Sequence, residues 1–157
     1  MSTLYVDNLQ PNLGSRVMAA GHVVQVVQTT LPPTTSITSS TRVDVMSASI
    51  TPTSTSSKIL AVVHLSDTGQ NNVGVSYGAF WLMRDSTDII KFTGQVGYTG
   101  GTASNSVGSC STSYLDSPST TSSVTYKVQG SNVSGTGTIE VGASNSTSTI
   151  TLMEIAQ

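Results

Sequence analysis

The sequence predicts an all-β chain folded as a jelly-roll-like antiparallel β-sandwich with an extended N-terminal arm. Three observations predict it. Short runs rich in Val, Ile and Thr alternate apolar with polar residues, the period of half-buried strands. Helical spacing is scarce: its best window, GSRVMAAGHVVQVVQ, is interrupted by Gly21 and turns β-branched in its second half. Turn-forming residues recur roughly every 8 to 12 positions in the second half, as sandwiches require. A chain of 157 residues suits one domain with a real core. The division expected is an arm over 1–20 and a sandwich over 21–157.

In the arm, Leu4, Val6 and Leu9 sit in an extended stretch that Pro11 and Gly14 separate from the first strand. They are the candidate anchoring residues; an edge strand of the same sandwich is the plainer alternative. HVVQVVQTT reads as the first strand, closed by the turn-forming LPPTT. TRVDVMSASITP follows, with Val43 and Val45 expected on one face and Met46, Ala48 and Ile50 on the other. SKILAVVHLS carries apolar residues on both faces, as a central strand covered on both sides would. YGAFWLMRD and DIIKFTG flank DST and form a hairpin. The stretch GQVGYTGGTASNSVGS reads as a long connection to CSTSYL. SVTYKVQ, GTIEVGAS and STITLMEIA bring the total to about eight strands, the number usual for a jelly roll. The last run belongs in the middle of a sheet, with Ile150 and Leu152 on one face and Met153 and Ile155 on the other.

The composition narrows the function classes. Charged residues make up 9% of the chain, against about 25% in ordinary soluble domains. Ser and Thr take their place, at about a third of all residues. Six basic residues scattered along the sequence offer no cluster to neutralise phosphates, which argues against nucleic acid as a partner. No apolar run approaches the roughly 18 residues of a membrane span, so no membrane insertion is expected. The start carries neither a basic segment nor a long apolar middle, so the chain is expected to be made and kept soluble in a cytoplasm. One cysteine, Cys110, excludes an internal disulfide and is expected to be a half-buried structural thiol.

Residues that carry chemistry are few and dispersed. His22 and His64 are the two histidines, and His64 alternates with Leu60 and Val62 on one strand face. A hydrogen-bonded position in the core or at a subunit contact explains them better than a catalytic base. Asp67, Asp85, Asp88 and Asp116 fall in loops or around the hairpin turn, where aspartates commonly bond backbone. No nucleophile elbow, phosphate-cradling glycine loop or metal-ligand cluster occurs in the sequence. The chain is therefore expected to have no catalytic residues, no cofactor and no metal, and not to be an enzyme. Trp81 beside Phe80 reads either as core packing or as a subunit-interface anchor, joined in the second case by Leu152 and Ile155. Tyr98 and Tyr114 border the glycine-rich connection, where exposed rings could stack on a sugar of a host-surface glycan or equally plug the end of the sandwich.

Two stretches carry a resemblance. The opening MSTLYVDNLQP resembles the start of many phage virion proteins. The later SYLDSP…SVTYKVQ…STITLMEIA resembles the closing strands of C1q/TNF-like jelly-roll domains in phage fibre proteins: a loop ending in D-S-P, a TYK strand and a last strand ending in EIA. The likeness implies a homotrimer in the virion, fixed by the arm to phage capsid or tail proteins. It implies either a capsid decoration protein or a tail fibre or tail-tip protein that contacts the host through Tyr98 and Tyr114. No shaft separates the opening from the domain here, which favours the compact decoration role.

Overall fold

The computed structural model describes residues 19–31, 35–71, 77–97, 105–133 and 137–157. Leu4, Val6, Leu9 and Tyr98 lie outside the described residues, as does most of the expected arm. The described chain forms ten strands: β1 (Val23–Leu31), β2 (Thr35–Ile37), β3 (Val43–Ile50), β4 (Lys58–Asn71), β5 (Gly78–Arg84), β6 (Thr87–Val96), β7 (Asn105–Asp116), β8 (Val124–Asn132), β9 (Thr138–Val141) and β10 (Ser148–Ile155). A 3-10 turn at Ala143–Asn145 precedes β10.

The pairing is nested. β5 pairs β6, β4 pairs β7, β3 pairs β8, β2 pairs β9 and β1 pairs β10, every pair antiparallel. The chain is thus one long antiparallel ribbon, folded back at the β5–β6 turn. The ribbon rolls up because β10 and β9 also pair β4, and β8 also pairs β5. Rolling divides it into a six-stranded sheet, β1-β10-β4-β9-β2 with β7 beside β4, and a four-stranded sheet, β3-β8-β5-β6. This is the jelly-roll sandwich that the alternation predicts. The last strand lies between β1 and β4, inside its sheet, as expected of STITLMEIA.

The core fills the space between the sheets. Ile59, Ala61, Val63 and Leu65 of β4 meet Phe80, Leu82, Tyr126 and Val128 of the other sheet, all fully buried. The sheets approach closely at Gly130, where a Cβ would lie 2.6 Å from Ile37 Cδ1 and 2.7 Å from Phe80 Cε1. Glycine is there to make room for a neighbouring ring.

Three sequence expectations need correction. Val45 does not share a face with Val43: a bulge between Asp44 and Met46 turns both Val45 and Met46 inward, while Val43 stays exposed. β9 is the expected strand GTIEVGAS, but its partner β2 is an extra strand, which begins at the last residue of the LPPTT turn and runs on through Ile37. β4 is covered on its inner face only, since Val62 on its outer face is exposed.

The register also gives the sandwich two distinct poles. β1 begins and β10 ends at the pole that carries the β5–β6 turn, where Gly21 donates its N–H to Ala156 O at 2.8 Å and Ala156 donates to His22 O at 2.9 Å. The connections that follow Leu31, Asn71, Val96 and Asn132 leave from the opposite pole.

Candidate assembly surface

Most carboxylates that could do acid–base chemistry are occupied in holding the sandwich together. Asp116, the last residue of β7, accepts hydrogen bonds from Arg84 Nη1 of β5 and from Tyr126 Oη of β8, the latter at 2.6 Å. Burial, then the neighbouring Asp116, push the Tyr126 hydroxyl far above its ordinary pKa, so it stays a donor. Desolvation works against the Arg84 charge, but Asp116 outweighs it and raises the guanidinium pKa. Asp85, at φ 52 in the β5–β6 turn, accepts the Thr125 N–H at 3.0 Å and ties the turn to β8.

Glu154 of β10 is fully buried at the pole where the chain enters and leaves. Its carboxylate accepts from Gln25 Nε2 at 2.7 Å and from the Thr53 N–H and hydroxyl at 2.8 and 2.7 Å, with Ser57 also bonded. Burial pushes its pKa up, yet the bonds from Gln25, Ser57 and Thr53 together outweigh this and hold it below the ordinary value. The carboxylate thereby fastens the β3–β4 connection onto β1 and β10. Sequence reasoning missed both clusters: Asp116, Tyr126 and Glu154 stand in LDSP, TYK and MEIA, but nothing in those stretches marks the partners that meet them in the fold.

The two outer faces of the sandwich differ. On the four-stranded sheet, Arg42 grips both oxygens of Asp88 at 2.8 and 2.9 Å, and Asp44 accepts from Lys127 at 3.1 Å and Gln129 at 2.7 Å. Trp81 points outward here under Arg42, whose guanidinium carbon lies 4.0 Å from the ring centroid, with Lys91 Nζ at 5.1 Å. Hydrogen bonds, first from Gln129, hold the Asp44 pKa below its ordinary value despite some desolvation. This face is charged and internally paired.

On the six-stranded sheet the register aligns a different pattern. Val26 of β1 lies beside Met153 of β10, Met153 beside Leu60 of β4, and Leu60 beside Leu115 of β7. This apolar row crosses four strands on the outer face, with Val26 56% and Leu115 49% exposed. Val23 and Ile155 lie beside Lys58 at one side of the row, and Gln28, Thr151, Val62 and Ser113 form the next row. Thr30, Thr149, His64 and Ser111 follow, and His64 Nδ1 bonds Ser111 Oγ at 2.8 Å. Of these four rows, Lys58 supplies the one formal charge.

The candidate interface residues are therefore not brought together. Ile155 faces outward beside the apolar row, Trp81 lies on the opposite outer face, and Leu152 is fully buried in the core, offering no surface to a neighbour. Tyr114 pairs with Ala61, so it points toward the inner side at the sheet's edge and is 38% exposed. His22 is exposed at the entry to β1. Cys110 is half-buried, its pKa raised by burial, with the Thr68 hydroxyl 3.9 Å from Sγ.

No protein-family model and no curated protein matches the chain. Several solved structures of infectious bursal disease virus are similar to it. The Gx strain structure is 14% identical with a TM-score of 0.46, covering 98% of this chain and 36% of that one. The VP2 subviral particle is 14% identical with a TM-score of 0.47, covering 85% and 34%. The Gt strain structure is 14% identical with a TM-score of 0.42, covering 98% and 43%. The chain spans about a third of the length of the first two.

Proposed function

We propose that the chain is a non-enzymatic structural protein of a phage particle, a homotrimer that decorates the capsid and is anchored there by residues 1–20. The observation that carries this reading is the uncovered apolar row on the six-stranded sheet. A lone subunit would keep it in water, whereas an assembled one buries it. The chemistry of the site points the same way, since Asp85 and Asp116 are engaged in cross-strand bonds. The resemblance of MSTLYVDNLQP and of the LDSP, TYK and EIA stretches to phage virion proteins supplies the particle. The two-sheet jelly-roll sandwich supports this reading at the level of fold class.

The mechanism is mechanical. Each trimer adds buried area where coat subunits meet and so opposes the pressure of the packaged genome. The described chain enters at the pole of Gly21 and Ala156, which supports a reading in which that pole lies toward the particle. Purified full-length chain mixed with capsids that lack it is expected to bind saturably and to raise their resistance to heat. Binding to host cells with none to capsids would instead identify a tail-tip protein that contacts a surface glycan.

A further inference from the structure

We propose that the outer face of the four-stranded sheet carries a binding site for a sugar acid, a ring that bears one carboxylate among hydroxyls, with Arg42 and Lys91 holding the carboxylate beside Trp81. The site goes beyond the capsid reading and needs no second subunit. Three features of the face select this ligand.

The first is the setting of Trp81. The register places Asp44, Gln129, Trp81 and Lys91 side by side across β3, β8, β5 and β6, so the indole stands in the middle of a polar face. It is half-buried and takes no part in the core between the sheets. Charge surrounds it instead, with the Arg42 guanidinium carbon 4.0 Å and Lys91 Nζ 5.1 Å from its centroid. Two cations held on one ring repel each other, and an anion that reaches both relieves that repulsion.

The second is unused hydrogen-bonding capacity. Arg42 engages Asp88 and Met83 through Nη1 alone, which leaves Nε and Nη2 without a partner among the described residues. Lys127 is paired with Asp44, but the exposed Lys91 has no carboxylate partner among the described residues. A guanidinium fork beside a free ammonium suits a carboxylate, which accepts from both.

The third is the pair of carboxylates around the site. The side chains of Asp44 and Asp88 are 57% and 54% exposed. They repel a ligand with closely spaced negative charges, such as an acidic peptide. They accept hydrogen bonds from hydroxyls. One carboxylate among hydroxyls therefore fits where a polyanion does not.

Trp81 is the one tryptophan of the chain, so tryptophan emission reports on this site alone. The full chain is titrated with the disaccharide glucuronosyl-glucose and, separately, with cellobiose, acetate and triglutamate. Saturation-transfer NMR on each ligand gives a second readout. The expected result is a saturable change in emission with the acidic disaccharide, weakened by added salt, and binding about tenfold weaker for cellobiose and for acetate. Lys91→Gln changes an exposed side chain that makes no hydrogen bond or ion pair among the described residues, and should weaken the disaccharide about tenfold. Lys58→Gln, on the other sheet, should leave binding unchanged. Acetate or triglutamate bound as tightly as the disaccharide overturns the sugar acid as ligand. Disaccharide binding that survives Lys91→Gln, or no binding by either readout, overturns the site. The capsid reading is decided separately, by mixing the chain with capsids.

Discussion

Single side chains stabilise this fold where polar groups are buried, and Glu154 is the clearest case. Its folded pKa lies below the ordinary 4.5, so the proton binds more tightly to the unfolded chain. The stabilisation is therefore fully present above that value and disappears as the pH falls through the folded pKa. Wild type should lose thermal stability between about pH 5 and pH 3, while Glu154→Gln should be less stable at pH 7 and flatter across that window. Thermal melts at each pH check this; parallel curves for the two proteins would show that Glu154 does not set the slope. At the other cluster, Tyr126→Phe removes the donor to Asp116 and should cost about 1–3 kcal/mol in urea unfolding. Neither cluster was legible from the sequence. Alternation tells which face a residue occupies, and Glu154 falls on an inner face that a carboxylate enters only because Gln25, Thr53 and Ser57 meet it there. Those partners come from strands and loops about a hundred residues away in sequence, beyond any local pattern.

Elements were more readable than their partners. The hairpin around Asp85 was legible because a two-residue turn between apolar runs fixes its own pairing. β10 was legible down to the face of each residue, because a strand inside a sheet repeats strictly every two positions. β3 misled at Val45, since a bulge shifts the phase without marking the sequence. β4 misled because apolar residues on both faces look alike whether the outer ones are covered by the same chain or left for another. The division along β10 makes a direct experiment. Leu152→Ala opens a cavity in the core and should cost about 2–5 kcal/mol. Ile155→Ala on the outer face should cost far less stability in the isolated subunit and weaken association instead. Equilibrium unfolding together with native mass separates these, and a large loss of subunit stability from Ile155→Ala would place that side chain in the core economy after all.

At the scale of the whole molecule, the nested ribbon dictates how the chain must fold. One pair, β5–β6, closes over a two-residue turn; each pair outside it closes a longer stretch, until Val23 meets Ile155. Long closures are entropically expensive and come late unless earlier contacts shorten them. We therefore expect refolding in milliseconds to seconds, with the β5–β6 turn formed in the transition state and β10 joining afterwards. Asp85 sits at φ 52, a conformation costly for a β-branched residue, and also accepts the Thr125 N–H. Asp85→Val should cost on the order of 1–3 kcal/mol and appear mainly as slower folding. Leu152→Ala should leave the folding rate nearly unchanged and speed unfolding, because its contacts form late. Stopped-flow kinetics in urea, at a concentration where wild type refolds independently of protein concentration, resolve the two limbs. If Leu152→Ala slowed folding and Asp85→Val only hastened unfolding, the ribbon would be closing from its ends, and the order of assembly inferred from its nesting would have to be reversed.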